Sequence, residues 1–192
     1  MGTFDINEFN NLLQRYCELK RAHTPYICYD WVTDGKLVEE CLRILMPMGE
    51  LVNIFLEKYV KDGHSFVVRI SRGCRYFPKY PWIAVLFNDE KPSQGVYPHI
   101  SLRETCWYVG CCDSKWKPQG DFSKRYYWDV KKRIDCSILR KNGIRNETHL
   151  ALLPQIFQYG ENVSVEMLRN AFELAITTYS DFRKDPICIK EL

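Results

Sequence analysis

The chain has 192 residues, 46% of them apolar, and is long enough to bury a core without metal ions or disulfides. Its start shows no basic stretch followed by an apolar run, and no apolar segment approaches the ~20 residues of a membrane span, so we expect neither a signal peptide nor a membrane anchor. The net charge of +3 is unevenly spread, because residues 65–145 hold sixteen Lys/Arg against seven Asp/Glu while both flanks are acidic.

Helical periodicity dominates the first sixty residues. Asp5 and Glu8 match a capping box, and the helix that follows places apolar side chains on one stripe: Phe9, Leu12, Leu13, Tyr16 and Leu19. A second helical segment starts after Asp34-Gly35 and runs to about Tyr59. We expect Pro47 to break or kink this segment, because proline removes a helical hydrogen bond.

The sequence period then changes from that of a helix to that of strands. Phe66, Val68 and Ile70 alternate with Val67, Arg69 and Ser71, which predicts a half-buried strand. The nearly continuous apolar run 82–87 predicts an interior strand. Further strands are predicted at 96–102, with Tyr97, His99 and Ser101 on one face, and at 106–112.

The rest of the chain is less regular. A loop is expected at 115–120, and the basic, aromatic segment 122–141 is predicted as part strand and part helix. Asn162 or Ser164 caps a last helix that carries Leu168, Phe172, Ala175, Ile176 and Tyr179. We therefore predict an α+β fold with a mainly antiparallel sheet of four to six strands between N- and C-terminal helices. Residues 1–64 form a helical segment and 65–192 the sheet-containing part, together one compact unit.

The sequence lacks the common motifs for catalysis, nucleotide binding and metal binding. The nine cysteines are odd in number and show no C-x-x-C spacing, so we expect free, mostly buried thiols in a reducing cytoplasm and no metal site. No P-loop, dinucleotide-binding or serine-hydrolase motif is present, and the four histidines lie far apart. The sequence therefore favours a binding protein over an enzyme, with no cofactor.

Binding to an anion is better supported, because the positive charge coincides with aromatic residues. Arg69, Arg72, Arg75 and Lys79 fall within eleven residues that contain no acid, with Gly73 among them. A second basic and aromatic run follows, in which the candidate phosphate-binding residues are Lys115, Lys117, Lys124 and Arg125. Cations neutralise phosphates, and aromatic rings stack on unpaired bases, so this composition favours a nucleic acid as the ligand.

Gly73, the strand start Tyr80-Pro81-Trp82 and the segment Gly95-Val96-Tyr97-Pro98 together resemble the N-terminal DNA-binding domain of the McrB family. McrB is the GTP-dependent subunit of a restriction system directed at modified cytosine. The spacing fits without gaps from Gly73 to Ser101, and a weaker similarity continues at residues 122–127. The resemblance covers about a third of the chain and does not include the first sixty residues.

The resemblance implies that a modified cytosine is flipped out of double-stranded DNA into an aromatic pocket. By position, Trp82, Tyr97 and Phe122 would wall the pocket, and Ser101 would lie where an aliphatic residue can contact the methyl group. The flipping loop would comprise Gly73, Cys74, Arg75 and Tyr76. Because Ser101 is small and polar, it indicates a larger or more polar group than methyl, such as hydroxymethyl.

The resemblance also implies partners. Domains of this family guide an attached motor and nuclease in antiviral defence, so any GTPase or nuclease activity would reside in another domain or subunit. Two alternatives stay open from the residues. The chain could bind RNA or single-stranded nucleic acid by stacking without regard to modification, or its exposed rings could serve a protein–protein interface.

Overall fold

The computed structural model describes residues 2–23, 35–60, 64–71, 81–87, 96–103, 106–113 and 151–183. The elements in chain order are α1 (Ile6–His23), α2 (Gly35–Tyr59), β1 (Phe66–Ile70), β2 (Trp82–Phe87), β3 (Val96–Leu102), β4 (Cys106–Asp113), β5 (Ala151–Gln158) and α3 (Val165–Arg183). The predicted α+β class is confirmed, with an antiparallel sheet between helices that come first and last along the chain.

The five strands lie in the sheet in their chain order, β1-β2-β3-β4-β5, and every neighbouring pair is antiparallel. The four predicted strands are all present, and β2 has a hydrogen-bonded neighbour on each side, as its apolar run indicates. The segments predicted as a loop at 115–120 and as mixed structure at 122–141 lie outside the described residues.

The fifth strand, β5, is not predicted by the sequence analysis. It contains Pro154, which has no backbone N–H to donate and is tolerated mainly at sheet edges and bulges. Both conditions hold among the described strands, since β5 is the last strand of their sheet and its register shifts. From Val109↔Gln155 to Cys111↔Leu152, β4 advances two residues while β5 advances three, and Pro154 falls within that irregularity.

The helix ends follow the predicted capping. One carboxylate oxygen of Asp5 accepts hydrogen bonds from the N–H groups of Asn7 at 2.8 Å and Glu8 at 3.4 Å. Of the two candidate caps for α3, the structure selects Ser164, whose Oγ accepts from the Met167 N–H at 3.1 Å. Helix α2 continues through Pro47 without interruption, so the expectation of a break there is wrong.

One face of the sheet, here called the helix face, packs against the three helices that the structure describes. It consists of alternate strand residues that join one apolar cluster with the helical stripes, among them Val68, Val85, Ile100, Val109 and Phe157. Trp107 is central to this packing, because its ring stacks on Phe157 at 4.4 Å and meets Phe9 of α1 edge-on at 5.9 Å.

The first sixty residues contribute directly to this shared core. Asn10 of α1 exchanges two hydrogen bonds with Val163, which immediately precedes the cap of α3, at 3.0 and 3.2 Å. Phe55 of α2 lies 5.9 Å from Phe172 of α3. Helices from both ends of the chain therefore form a single layer on the helix face.

The other side of the sheet, here called the second face, has a different composition. Its described side chains are Val67, Arg69, Trp82, Ala84, Leu86, Tyr97, His99, Ser101, Cys106, Tyr108, Ile156 and Gln158. None of these belongs to the helix-face cluster, and Trp82, Ala84, Leu86 and Tyr97 form a small cluster of their own. Polar and aromatic groups thus lie together on the side of the sheet opposite the three described helices, and most of them are buried.

Four cysteines with described side chains, Cys17, Cys41, Cys106 and Cys111, are free and buried, as predicted. Within the described ranges, no helix combines the length and the apolar character needed to cross a membrane.

We expect Gly49→Ala to stabilise the protein. Gly49 is inside α2, and a Cβ built there meets Ile70 and Val68 side-chain carbons at 3.6 to 3.8 Å, which is ordinary contact. Replacing an interior helical glycine by alanine should add ~0.5–1 kcal/mol to the free energy of unfolding, measured by urea denaturation. Gly160→Ala is the control, because its φ of +92° should make that alanine destabilising by about 1 kcal/mol. Equal effects of the two variants would contradict this account.

Two neighbouring tyrosines, Tyr16 and Tyr159, offer a second matched comparison. Their ring centroids lie 6.2 Å apart, yet the Tyr159 hydroxyl donates to the Arg103 carbonyl at 3.0 Å, whereas the Tyr16 hydroxyl is buried without a partner among the described residues. At pH 7 we therefore expect Tyr159→Phe to cost ~1 kcal/mol and Tyr16→Phe to be neutral or stabilising. A larger loss for Tyr16→Phe in chemical denaturation would contradict the assigned contacts.

The same pair determines how stability changes at alkaline pH. Burial raises the pKa of both hydroxyls well above the usual value, and burial raises the pKa of the nearby Cys41 thiol to about 12. An unfolded tyrosine ionises near pH ~10 while the folded one stays protonated, so the contribution of each tyrosine to stability is complete below that pH and falls above it, whereas the contribution of Cys41 already falls above about pH 8.5. Each Tyr→Phe variant should make this loss shallower, by up to ~1.4 kcal/mol per pH unit.

Candidate nucleic-acid interface on the second face

The structure brings three predicted pocket residues together on the second face. Trp82 of β2 is the register partner of Ser101 of β3, and the Trp82 and Tyr97 ring centroids lie 5.9 Å apart with their planes inclined by 43°. Tyr97 and Ser101 are 6% and 2% exposed, while Trp82 is half-buried. Trp82 is therefore the most accessible of the three.

The rings of Trp82 and Tyr97 lie against each other and leave no slot for a base between them. A base held between two rings needs parallel planes roughly 7 Å apart, twice the ~3.5 Å of an optimal carbon–carbon contact. Trp82 and Tyr97 are instead tilted and in mutual contact, which is a favourable aromatic pair in itself. A flipped base would have to turn and part these rings before it could stack between them.

One predicted phosphate-binding residue is also on this face. Arg69 of β1 is exposed and is the register partner of Ala84, which pairs with His99 on its other side. The row Arg69–Ala84–His99 thus runs next to the row that holds Trp82 and Ser101. Arg69 places a cation at the edge of the sheet beside the aromatic pair.

The remaining predicted site residues lie outside the described residues. These are the pocket residue Phe122, the flipping-loop residues Gly73, Cys74, Arg75 and Tyr76, and the cations Arg72, Lys79, Lys115, Lys117, Lys124 and Arg125. Their positions relative to Trp82 therefore stay predictions.

Ser71 holds the backbone of Trp82 in place. Its N–H donates to the Trp82 carbonyl at 3.0 Å, and its Oγ accepts from the Trp82 N–H at 3.0 Å. On the other side, the Leu102 N–H donates to the carbonyl of Pro81 at 3.0 Å. The start of β2 is thus hydrogen-bonded both to Ser71, which follows β1, and to Leu102 of β3. Ser71 and Trp82 lie on either side of the segment that contains the predicted flipping loop.

Sequence reasoning did not assign a role to three polar residues on the same face. The Arg103 Nη2 donates to the Tyr108 hydroxyl at 3.1 Å, and this hydroxyl lies 3.4 Å from His99 Nε2. His99 Nδ1 lies 3.1 Å from the Gly110 carbonyl oxygen. The result is a chain of hydrogen bonds across the end of β3 and the middle of β4.

These polar residues also contact the predicted pocket. The His99 ring meets Tyr97 at 6.1 Å and Tyr108 at 5.3 Å, edge-on in both cases, and the Arg103 guanidinium lies 5.6 Å from the Tyr108 ring centroid. The alternation of Tyr97, His99 and Ser101 in β3 already places His99 on this face. Its partners could not be found from the sequence, because they depend on the register of β3 and β4.

Comparisons of the chain with protein-family models, with curated proteins and with solved structures find no match. The interpretation of the second face therefore depends on its residues and their geometry. Among the described residues, no group of three or more His, Cys, Asp or Glu side chains could hold a metal ion.

We expect Ser71→Ala to destabilise the protein by ~1–2 kcal/mol, because the Trp82 N–H would lose its hydroxyl acceptor in a buried environment. Thr178→Val is the matched control. Its buried hydroxyl donates to the Leu174 carbonyl inside α3, so removing it leaves no backbone N–H without an acceptor. Urea denaturation of both variants tests the assignment, and an equal loss for the two would contradict the role given to Ser71.

Proposed function

We propose that this chain is a DNA-binding domain that reads a modified cytosine turned out of the duplex. The observation that carries the proposal is the grouping of Trp82, Tyr97 and Ser101 on the second face, with the exposed cation of Arg69 beside them. This grouping agrees with the pocket implied by the resemblance to the McrB family. The rings supply stacking for a flat base, and the polar serine supplies a hydrogen-bonding group next to it.

The free energies of base flipping and stacking support separate roles for the aromatic rings and the cations. Flipping a base costs a few kcal/mol, and stacking in an aromatic slot returns ~1–3 kcal/mol per base. The duplex around an extruded base must be held by its backbone, and the basic segment 65–145 provides the cations for that. Because Ser101 replaces an aliphatic contact, we propose that the site favours hydroxymethylcytosine over methylcytosine.

The proposed domain binds and does not itself cleave. It would direct a GTPase motor and a nuclease, carried by a further domain or by partner subunits, to modified DNA in antiviral defence. We place it in the cytoplasm, because the four free, buried cysteines agree with a reducing compartment.

The decisive measurement is fluorescence anisotropy with a duplex that carries cytosine, methylcytosine or hydroxymethylcytosine at one site. We expect tighter binding to a modified duplex, and a loss of ~1–3 kcal/mol of that preference in Trp82→Ala, because the stacking ring is removed. Trp82→Phe keeps an aromatic ring and should retain part of the preference. A clear preference for methyl over hydroxymethyl would contradict the role given to Ser101.

A second arm of the experiment tests the backbone contact. Arg69→Ala should weaken binding to all three duplexes alike and lower the salt slope by ~1. Arg43→Ala is the control, because it removes one exposed arginine on α2, where the side chain pairs with Glu39. Equal binding of all duplexes by the wild type would leave a general nucleic-acid binder, and no binding at low salt would favour a protein-interaction module.

A further inference from the structure

Tyr108 is placed to touch whatever lies against Ser101. Ser101 has two register partners, Trp82 on β2 and Tyr108 on β4, so these three side chains form one row across the second face. Directly paired side chains of antiparallel strands have Cβ atoms ~4.5–5.5 Å apart. Ser101 and Tyr108 are 2% and 1% exposed, so a base substituent reaches this pair only after the Trp82–Tyr97 ring contact has opened.

The two ends of the adjoining chain of hydrogen bonds have fixed roles, and we assign the His99 imidazole between them as neutral. Arg103 can only donate, and the Gly110 carbonyl can only accept, so His99 Nδ1 carries a hydrogen. In the neutral imidazole, Nε2 is then an acceptor, and the Tyr108 hydroxyl gives its single hydrogen to it.

This arrangement determines what Tyr108 can offer to a ligand. Its hydrogen is engaged by His99, and one of its two lone pairs accepts from Arg103. Toward a bound base it can present only the remaining lone pair. A hydroxyl that is normally both donor and acceptor is thereby converted into an acceptor.

We infer that Tyr108, oriented by Arg103 and His99, is a specificity-determining residue that selects a base substituent able to donate a hydrogen bond. The inference rests on the proposed function. A hydroxymethyl group can donate to Tyr108, a formyl group of similar size can only accept, and a methyl group can do neither. The second face is thus matched to hydroxymethylcytosine through two hydroxyls, those of Ser101 and Tyr108. Arg103 and His99 are positioning residues.

The test is anisotropy with four duplexes that carry cytosine or its methyl, hydroxymethyl or formyl derivative at one site. For the wild type we expect hydroxymethyl to bind about three- to tenfold tighter than formyl or methyl, the worth of one hydrogen bond. Tyr108→Phe removes only the hydroxyl and should bring the hydroxymethyl-to-formyl ratio close to one.

A second variant tests the direction of the hydrogen bonds. His99→Asn keeps an N–H that can donate toward the Gly110 carbonyl but removes the Nε2 acceptor, so the Tyr108 hydrogen becomes available to a ligand. Binding of the formyl duplex should then rise relative to hydroxymethyl, a change that a loss of folding would not produce. Tyr16→Phe, which removes a buried hydroxyl on the helix side, is the control and should leave all ratios as in the wild type.

The outcomes separate this inference from the proposed function. A wild-type preference for hydroxymethyl over formyl that disappears in Tyr108→Phe supports it. If the wild type prefers modified over unmodified DNA but Tyr108→Phe keeps the same hydroxymethyl-to-formyl ratio, the role of Tyr108 is overturned and the proposed function stands. Equal binding of all four duplexes by the wild type would overturn both.

Discussion

The register that joins β2, β3 and β4 is the constraint on which both faces of the sheet depend. Side chains alternate along a strand, so a slip of one residue would move His99 and Ser101 to the helix face and Ile100 to the second face. Each polar group placed against the helices would lose its hydrogen bonds in an apolar core, at a cost of ~1–3 kcal/mol. Packing against the helices therefore fixes the strand register, and the register determines which residues meet on the second face.

Several side chains of the second face are both polar and buried. His99, Ser101 and Tyr108 are nearly inaccessible, and buried polar groups are costly unless they are bonded. The chain from Arg103 through Tyr108 and His99 to Gly110 gives the Tyr108 hydroxyl and both His99 ring nitrogens a partner, with a donor at one end and a carbonyl at the other. Reorienting any member would break the hydrogen bond to its neighbour. In the proposed site, this network would hold the Tyr108 hydroxyl in the orientation that distinguishes substituents of similar size.

The sequence predicts most of the local structure, because the spacing of apolar residues and the capping residues indicate where helices and strands lie. Asp5, Ser164 and the alternation in β1 and β3 are local signals, and the structure agrees with each. The edge strand β5 was missed, since Pro154 and a shifted register hide its alternation. The aromatic pair could be proposed from a spacing pattern, but the partners of His99 could not. His99 and Gly110 are eleven residues apart, and only the paired strands bring them into contact.

The contact between Trp82 and Tyr97 determines how the proposed pocket must operate. Aromatic pairs gain ~0.5–1.5 kcal/mol beyond their buried area, so the rings resist separation until a base replaces the lost contact. Extruding that base costs a few kcal/mol more, which stacking on two rings roughly offsets. Reading the base is then close to neutral in free energy, and the net affinity must come from cations along the DNA backbone. In the proposed site, specificity would arise at the rings and the buried hydroxyls, while holding the duplex would depend on charges such as that of Arg69. Such a site would bind many sequences loosely and would stay closed until a base with the right donor displaced the ring contact.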